Sequence, residues 1–398
     1  MLNRVKKLPN LGAIAVSYGS MFIEGSLTSI LVALMAILAA KFGKTNGDIA
    51  TLLSLKGLGT LLVLFVAGRL SDQHGRKLPI ALGSLLFSVF MLGFIFTSNF
   101  YLAGIFAFIA GLAHGFMDTP GMSLLFDSLS GNTGPALSVV QVFFAGGSVL
   151  TTMLTSIFIR FNFDYRFIFG IILSLNLLLF LVILRVKYPP VSGKVEVKTY
   201  QIYYEKEPKF LIEGSFLFLN TLIYAGYQAI SSTWLPTFLV QVKGFDLATA
   251  VSMMSLSSVG AVLGALFFAW VLRHYHSTKI MTINPLIAMF VLMMLVFIKV
   301  KLIVMISVFG LGFLMSTYFS MSINMGGELF PKQAGTATGA VATASMLGST
   351  VIVWITGRLI ETTGVNNLMV FGIILLFVLA VSSSLFRIHY LKLKPGRR

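Results

Sequence analysis

Four titratable side chains interrupt stretches that are otherwise apolar: Glu24, Lys56, His114 and Asp118. In hydrocarbon such a group costs about 3 kcal/mol or more unless it faces a partner or a wet cavity, so each is a default candidate for chemistry. Glu24 shares a helical stripe with Ser17, Met21 and Thr28, which predicts a polar face around it. A carboxyl held away from water can take up and release a proton, because burial disfavours its charge. The alternative for Glu24 is a structural ion pair with Lys56, and Lys56 reads equally well as a countercharge or as a substrate contact. His114 and Asp118 stand one helical turn apart, ahead of Thr119-Pro120, where proline frees backbone carbonyls. Asp127 and Glu328 lie nearer the ends of their segments, Glu328 just before Phe330-Pro331, and are expected to cap or to gate.

Neutral polar groups form a second set. Asn220, Tyr224 and Gln228 recur at steps of four and are followed by Ser231, an amide–phenol–amide row able to bind a hydroxyl-rich ligand. Thr317, Ser320 and Asn324 make a similar row, with Tyr318 beside it. Polar groups that only glue helices together are the competing reading for both rows. Gln141 and Asn284 are isolated candidates for substrate contact and read as well as packing groups. Trp234, followed by Leu235-Pro236, is expected to anchor a helix at an interface.

The elements that must position these residues are transmembrane helices. Hydrophobic residues make up 57% of the 398 and charged ones only 11%, which leaves too little polar surface for a soluble fold. Apolar stretches near 11–41, 48–68, 78–97, 101–127, 135–160, 166–185, 210–240, 246–272, 279–298, 302–329, 334–360 and 367–387 each reach the ~20 residues that cross a bilayer. Residues such as those from Ile168 to Leu184 are apolar on every face, which argues against barrel strands. The predicted fold is therefore an all-α membrane protein with twelve transmembrane helices in two six-helix halves. Residues 1–186 form the first half, 187–209 a charged cytoplasmic linker, and 210–398 the second half with a basic tail.

The net charge of +16 does not describe a nucleic-acid face. Its basic residues crowd into short connectors on one side of the segments, which places both termini in the cytoplasm of a cell-membrane protein. Arg4, Lys6 and Lys7 precede a first apolar run with no small-residue cleavage site, as in a retained helix. Cysteine is absent, which removes disulfides, thiolate metal sites and cysteine nucleophiles.

Between the second and third segments runs Gly68-Arg69-Leu70-Ser71-Asp72-Gln73-His74-Gly75-Arg76-Lys77. Gly68 and Gly75 allow close approach and a tight turn, and Asp72 offers a carboxylate to helix ends or guanidinium groups. This stretch closely resembles the Gly-x-Leu-x-Asp-x-x-Gly-Arg-Lys loop of the major facilitator superfamily. The resemblance implies alternating access about a central site, with Asp72 and Arg76 helping to hold a cytoplasmic gate closed. The second-half counterpart, Ala269 to Lys279, keeps basic residues without the glycine–aspartate core. Gly115-Phe116-Met117-Asp118-Thr119-Pro120 is similar to the fourth helix of fucose-permease-type proton symporters, which implies that Asp118 couples protons with His114 beside it.

No phosphate-binding loop, His-Glu-x-x-His, Gly-x-Ser-x-Gly or cluster of metal ligands is present, so an enzyme, ATP-driven transport and a resident metal or cofactor are not expected. The sequence instead predicts proton-gradient-driven symport of a small polar solute, such as a sugar, by a lipid-embedded monomer. Drug or metabolite efflux by antiport is the alternative, suggested by 19 methionines that suit an adaptable apolar pocket.

Overall fold

The computed structural model describes residues 10–128, 134–189, 207–330 and 334–393; within these, the side chains of Phe65, Asp72, Phe126, 134–138 and 334–335 are outside the description. Every regular element among the described residues is helical. In chain order these are α1 (Leu11–Ala33), α2 (Met35–Phe42), α3 (Asn46–His74), α4 (Lys77–Phe96), α5 (Phe100–Ser128), α6 (Gly134–Arg160) and α7 (Arg166–Arg185). A π-helical turn at Phe210–Gly214 then leads into α8 (Ser215–Gln241), followed by α9 (Leu247–Val271), α10 (Ser277–Phe297), α11 (Lys301–Met315), α12 (Tyr318–Leu329) and α13 (Ala334–Leu393).

Among the described residues, eleven helical stretches are long and apolar enough to cross a membrane. The last runs from Thr336 to Leu393. At 1.5 Å per residue it would extend about 90 Å, three times the ~30 Å of hydrocarbon. It turns at Gly364 (φ 76°, ψ 159°), which divides it into two crossing lengths.

Two compact units emerge: Met1–Val195 with Leu247–Ser255, and Glu196–Asp246 with Leu256–Arg398. The opening of α9 joins the first unit because Ser156 donates to the Ala248 carbonyl at 2.7 Å and the Thr152 and Ser255 hydroxyls meet at 2.5 Å. The expected linker falls mostly at 190–206, outside the described residues.

Inside the first unit, helices touch backbone to backbone. A Cβ on Gly147 would lie 1.8 Å from the Phe22 carbonyl oxygen, and one on Gly25 as close to that of Phe144, so α1 and α6 can cross here only through glycine. The same holds for α3 and α5, where a Cβ on Gly111 would meet the Lys56 carbonyl at 1.9 Å. Both crossings lie beside candidate residues, so Glu24 and Lys56 project from backbones that cannot shift. Thr45 opens α3 with a capping box: its hydroxyl accepts from the Asp48 N–H, and the Asp48 carboxylate accepts from the Thr45 N–H, each at 3.1 Å.

The second unit uses corresponding crossings. A Cβ on Gly348 of α13 would meet the Leu222 carbonyl of α8 at 2.3 Å, and one on Gly312 of α11 that of Ser257 of α9 at 2.1 Å. Trp234 is fully buried and its indole N–H donates to Thr356 at 2.9 Å, which corrects the expected interfacial anchor. A buried indole needs a partner for its one donor, and α13 supplies it.

Candidate functional site

Glu24 is 1% exposed, and its Oε1 finds no hydrogen-bond partner. Ser20, one turn before it, is also buried with an unpartnered hydroxyl. Lys56 reaches from α3 to α1, where its ammonium donates to the Leu27 carbonyl at 3.3 Å, three residues beyond Glu24. Glu24 interacts electrostatically with both Asp118 and Lys56, and Lys56 also with His114, whose Nδ1 is buried and unpartnered. The first unit therefore gathers all four titratable candidates from α1, α3 and α5. A buried polar atom without a partner costs about 1–3 kcal/mol, so this interior is arranged for something other than stability.

The second unit gathers neutral groups. Asn220 is 0% exposed, yet neither its amide nitrogen nor its oxygen is bonded. Tyr224, one turn on, donates to the Met315 carbonyl at 3.3 Å and stacks on Tyr318, the ring centroids 4.9 Å apart. The Tyr318 hydroxyl meets that of Ser383 at 2.6 Å, and the Thr317 hydroxyl is buried and unpartnered. These contacts surround a break in the tenth span, between α11 and α12, that no proline or glycine announces. It releases carbonyls that a continuous helix would use. Tyr224 takes that of Met315, and Asn284 donates to that of Leu314 at 2.8 Å. Asn284 is thus committed to packing, the second of its two readings. Gln228, Asn324 and Gln141 are exposed, so the expected stripe from Asn220 to Gln228 divides into a buried part and an exposed end.

At the glycine–aspartate motif, the loop expected over 69–77 is shorter than predicted. α3 continues to His74, and Gly75 makes the turn with φ +82°. Gly68 lies inside that helix, where a Cβ would meet only Thr119 Cγ2 at 4.0 Å, so the expected close approach is absent there. Arg76 donates through Nε to Asp127 at 2.7 Å and through Nη1 to Ser71 at 2.9 Å, with the pair's side chains only 8% and 2% exposed. The Asp72 side chain is outside the described residues.

Glu328 occupies a comparable place in the second unit. Both its oxygens lie 3.1 Å from His276 Nε2, and the Tyr390 hydroxyl donates to Oε1 while standing 3.0 Å from the same imidazole nitrogen. Sequence reasoning missed His276 and Tyr390. It also missed Glu213, 2% exposed, which binds His389 at 2.7 Å and accepts the Lys209 N–H at 2.6 Å. A carboxylate ahead of an apolar run, with a histidine, His389, beside Tyr390 in the last helical turns, was the available signal.

The family model of the Major Facilitator Superfamily matches residues 16–353. An uncharacterised MFS-type transporter, YfkL of Bacillus subtilis (strain 168), is 28% identical over 364 residues, covering 89% of this chain and 90% of its own. Two solved structures share the fold at 16% identity. FucP, a Major Facilitator Superfamily transporter in an outward conformation, has a TM-score of 0.66 and covers 94% of this chain and 98% of its own. A D-xylose-proton symporter has a TM-score of 0.73 and covers 97% of each chain.

Proposed function

Taking as premise that this chain belongs to the Major Facilitator Superfamily and is a multi-pass membrane transporter rather than an enzyme, we propose that it carries a small polar solute, such as a sugar, in symport with protons. The observation that carries the reading is Glu24: a carboxyl 1% exposed, with an unpartnered oxygen, within electrostatic range of a second acid, Asp118. Two carboxyl groups in one apolar interior favour retaining a proton on the pair, since like charges oppose joint ionisation. Release of that proton on one side of the membrane and uptake on the other drives the cycle, with alternating access as the means. Asn220, Tyr224 and Tyr318 offer the solute donors, acceptors and an aromatic face. Arg76 with Asp127, and His276 with Glu328, act as gating contacts. The protein works as a monomer in the cell membrane with both ends in the cytoplasm. The D-xylose-proton symporter of the same fold supports the reading.

Uptake of labelled pentoses, hexoses and nucleosides into proteoliposomes tests it. Acid outside should drive accumulation of one of these classes, and the combined Glu24→Gln and Asp118→Asn substitutions should abolish accumulation while leaving solute exchange intact. Accumulation unchanged in the double variant removes the coupling claim, and resistance to lipophilic cations without sugar uptake would favour export. Asn220→Leu should stabilise the fold by about 1 kcal/mol, by removing an unsatisfied amide, while cutting uptake about tenfold.

A further inference from the structure

The turn between α9 and α10 carries charge that the rest of the protein does not answer. It reads Trp270-Val271-Leu272-Arg273-His274-Tyr275-His276-Ser277-Thr278-Lys279, and no acid occurs in the chain between Asp246 and Glu328. Glu328 is already taken by His276 and Tyr390. Arg273 is exposed, and among the described residues no carboxylate pairs with it or with Lys279. The Lys279 ammonium has the Tyr275 ring beneath it, 4.5 Å from the centroid.

The matching turn of the first unit settles its own cations. Arg76 is held by Asp127 and Ser71, and Lys77 donates to the Leu184 carbonyl at 2.7 Å with the Tyr188 ring 6.0 Å away. In the second unit Lys279 stands in the first turn of α10, where a helix favours an acid and none is present. Neither Arg273 nor Lys279 is therefore placed to stabilise the protein's own fold. Two exposed aromatic side chains accompany them: Trp270, which nears the end of α9 with its ring 5.4 Å from that of His274, and Tyr275. Tryptophan and tyrosine at the end of a spanning helix lie at the headgroup level of a bilayer, so the two cations stand at the depth of lipid phosphates.

We propose that the α9–α10 turn binds an anionic phospholipid, with Arg273 and Lys279 on the phosphodiester and Trp270 and Tyr275 against the glycerol and the upper acyl chain. The lipid is the counter-anion that the turn lacks. Phosphodiester oxygens suit both the planar fork of a guanidinium and the point charge of an ammonium. A zwitterionic lipid brings a cation of its own to the same place, which the turn repels. The site serves the protein whatever solute it carries.

Thermal unfolding of the purified full chain in a neutral detergent, with phosphatidylglycerol or phosphatidylcholine added, tests this. Phosphatidylglycerol should raise the midpoint by about 2 °C or more at ten times its dissociation constant, and phosphatidylcholine should not. Arg273→Gln combined with Lys279→Gln should weaken the response about tenfold or more in lipid concentration. Lys44→Gln combined with Arg166→Gln removes the same charge from exposed positions elsewhere and should leave the response unchanged. The proposal is overturned if the Arg273 and Lys279 variant responds as the wild type does, if the Lys44 and Arg166 variant loses the response equally, or if the wild type shows none. Glycerol phosphate in place of lipid should have no effect; an equal rise would assign the turn to a soluble phosphate and overturn the lipid. Should the double variant fail to fold, each single substitution must itself weaken the response, and no loss in either overturns the assignment.

Discussion

In the first unit Gly147 of α6 packs on the Phe22 carbonyl of α1, and in the second Gly348 of α13 packs on the Leu222 carbonyl of α8; the α3–α5 and α9–α11 crossings repeat the pattern with Gly59 and Gly111 against Gly260 and Gly312. Aligned on these crossings, Phe22 corresponds to Leu222, Glu24 to Tyr224, Lys56 to Ser257 and Asp127 to Glu328. The scaffold is duplicated and the chemistry on it is not. Where the first unit buries a carboxyl, the second buries a phenol; where the first extends an ammonium, the second leaves a hydroxyl. Crossings without a Cβ fix backbone position, which frees neighbouring side chains to diverge without disturbing the packing. At these crossings titratable side chains are thus concentrated in one unit and neutral hydrogen-bonding groups in the other.

The strongest way to break the parallel is to fill a crossing. Gly147→Ala puts a Cβ against the backbone oxygen of Phe22, which cannot move aside, whereas Gly226→Ala meets Cγ1 of Ile352 at 2.9 Å, a side-chain atom that can turn away. Overpacking against backbone should exceed ~3 kcal/mol and remove the monodisperse folded protein, while the Gly226 variant should lose about 1 kcal/mol or less. Fluorescence-detected size-exclusion after solubilisation compares the two, and equal loss would show that the second unit's crossing is as rigid as the first.

The Arg76–Asp127 and His276–Glu328 pairs differ in kind as well as in burial. Arg76 and Asp127 are nearly inaccessible, whereas His276 and Glu328 are 34% and 20% exposed. Asp127→Asn strands a guanidinium that cannot discharge, at a cost of about 3 kcal/mol. Glu328→Gln keeps a hydrogen-bonding partner for His276 and for Tyr390, and should cost about 1 kcal/mol. Chemical denaturation of the two variants tests the ranking; a larger loss for Glu328→Gln would reverse it and make the second-unit pair the stronger tie.

Much of this was legible in the sequence because lipid punishes deviation. The apolar runs gave the helices, and the scarcity of buried charge singled out Glu24, Lys56, His114 and Asp118 before any geometry was known. The duplication was harder to read, since only short echoes such as Asp48-Ile49-Ala50-Thr51 and Asp246-Leu247-Ala248-Thr249 survive. The break before Thr317 carries no proline or glycine, because its freed carbonyls are satisfied by Tyr224 and Asn284 from other helices, a tertiary effect that local sequence cannot show. The helical turns expected to end at Gly68 run on to His74 for the same kind of reason: Arg76 is held by Asp127, far along the chain, and not by its neighbours alone.

The smallest expected difference lies at the opposite ends of the helices. Lys41, followed by Gly43 at φ +59°, donates to the Phe94 carbonyl at 3.3 Å near the end of α4. Lys243, followed by Gly244 at φ +70°, donates to the Val296 and Ile298 carbonyls at 2.8 and 2.7 Å at the end of α10. A cation at a helix C-terminus contributes about 0.5 kcal/mol, so Lys41→Met and Lys243→Met should each lose roughly that much at neutral pH. Burial and then the charge of Lys299 hold the Lys243 ammonium below the usual lysine range. With the folded pKa below the unfolded one, the unfolded chain binds more protons between the two values, so this group makes stability rise as pH climbs through that alkaline interval. Lys243→Met should therefore flatten the alkaline limb of the stability profile relative to the wild type, read by urea unfolding at a series of pH values. An unchanged limb would mean that the Lys243 ammonium is as well solvated in the folded protein as in the unfolded chain.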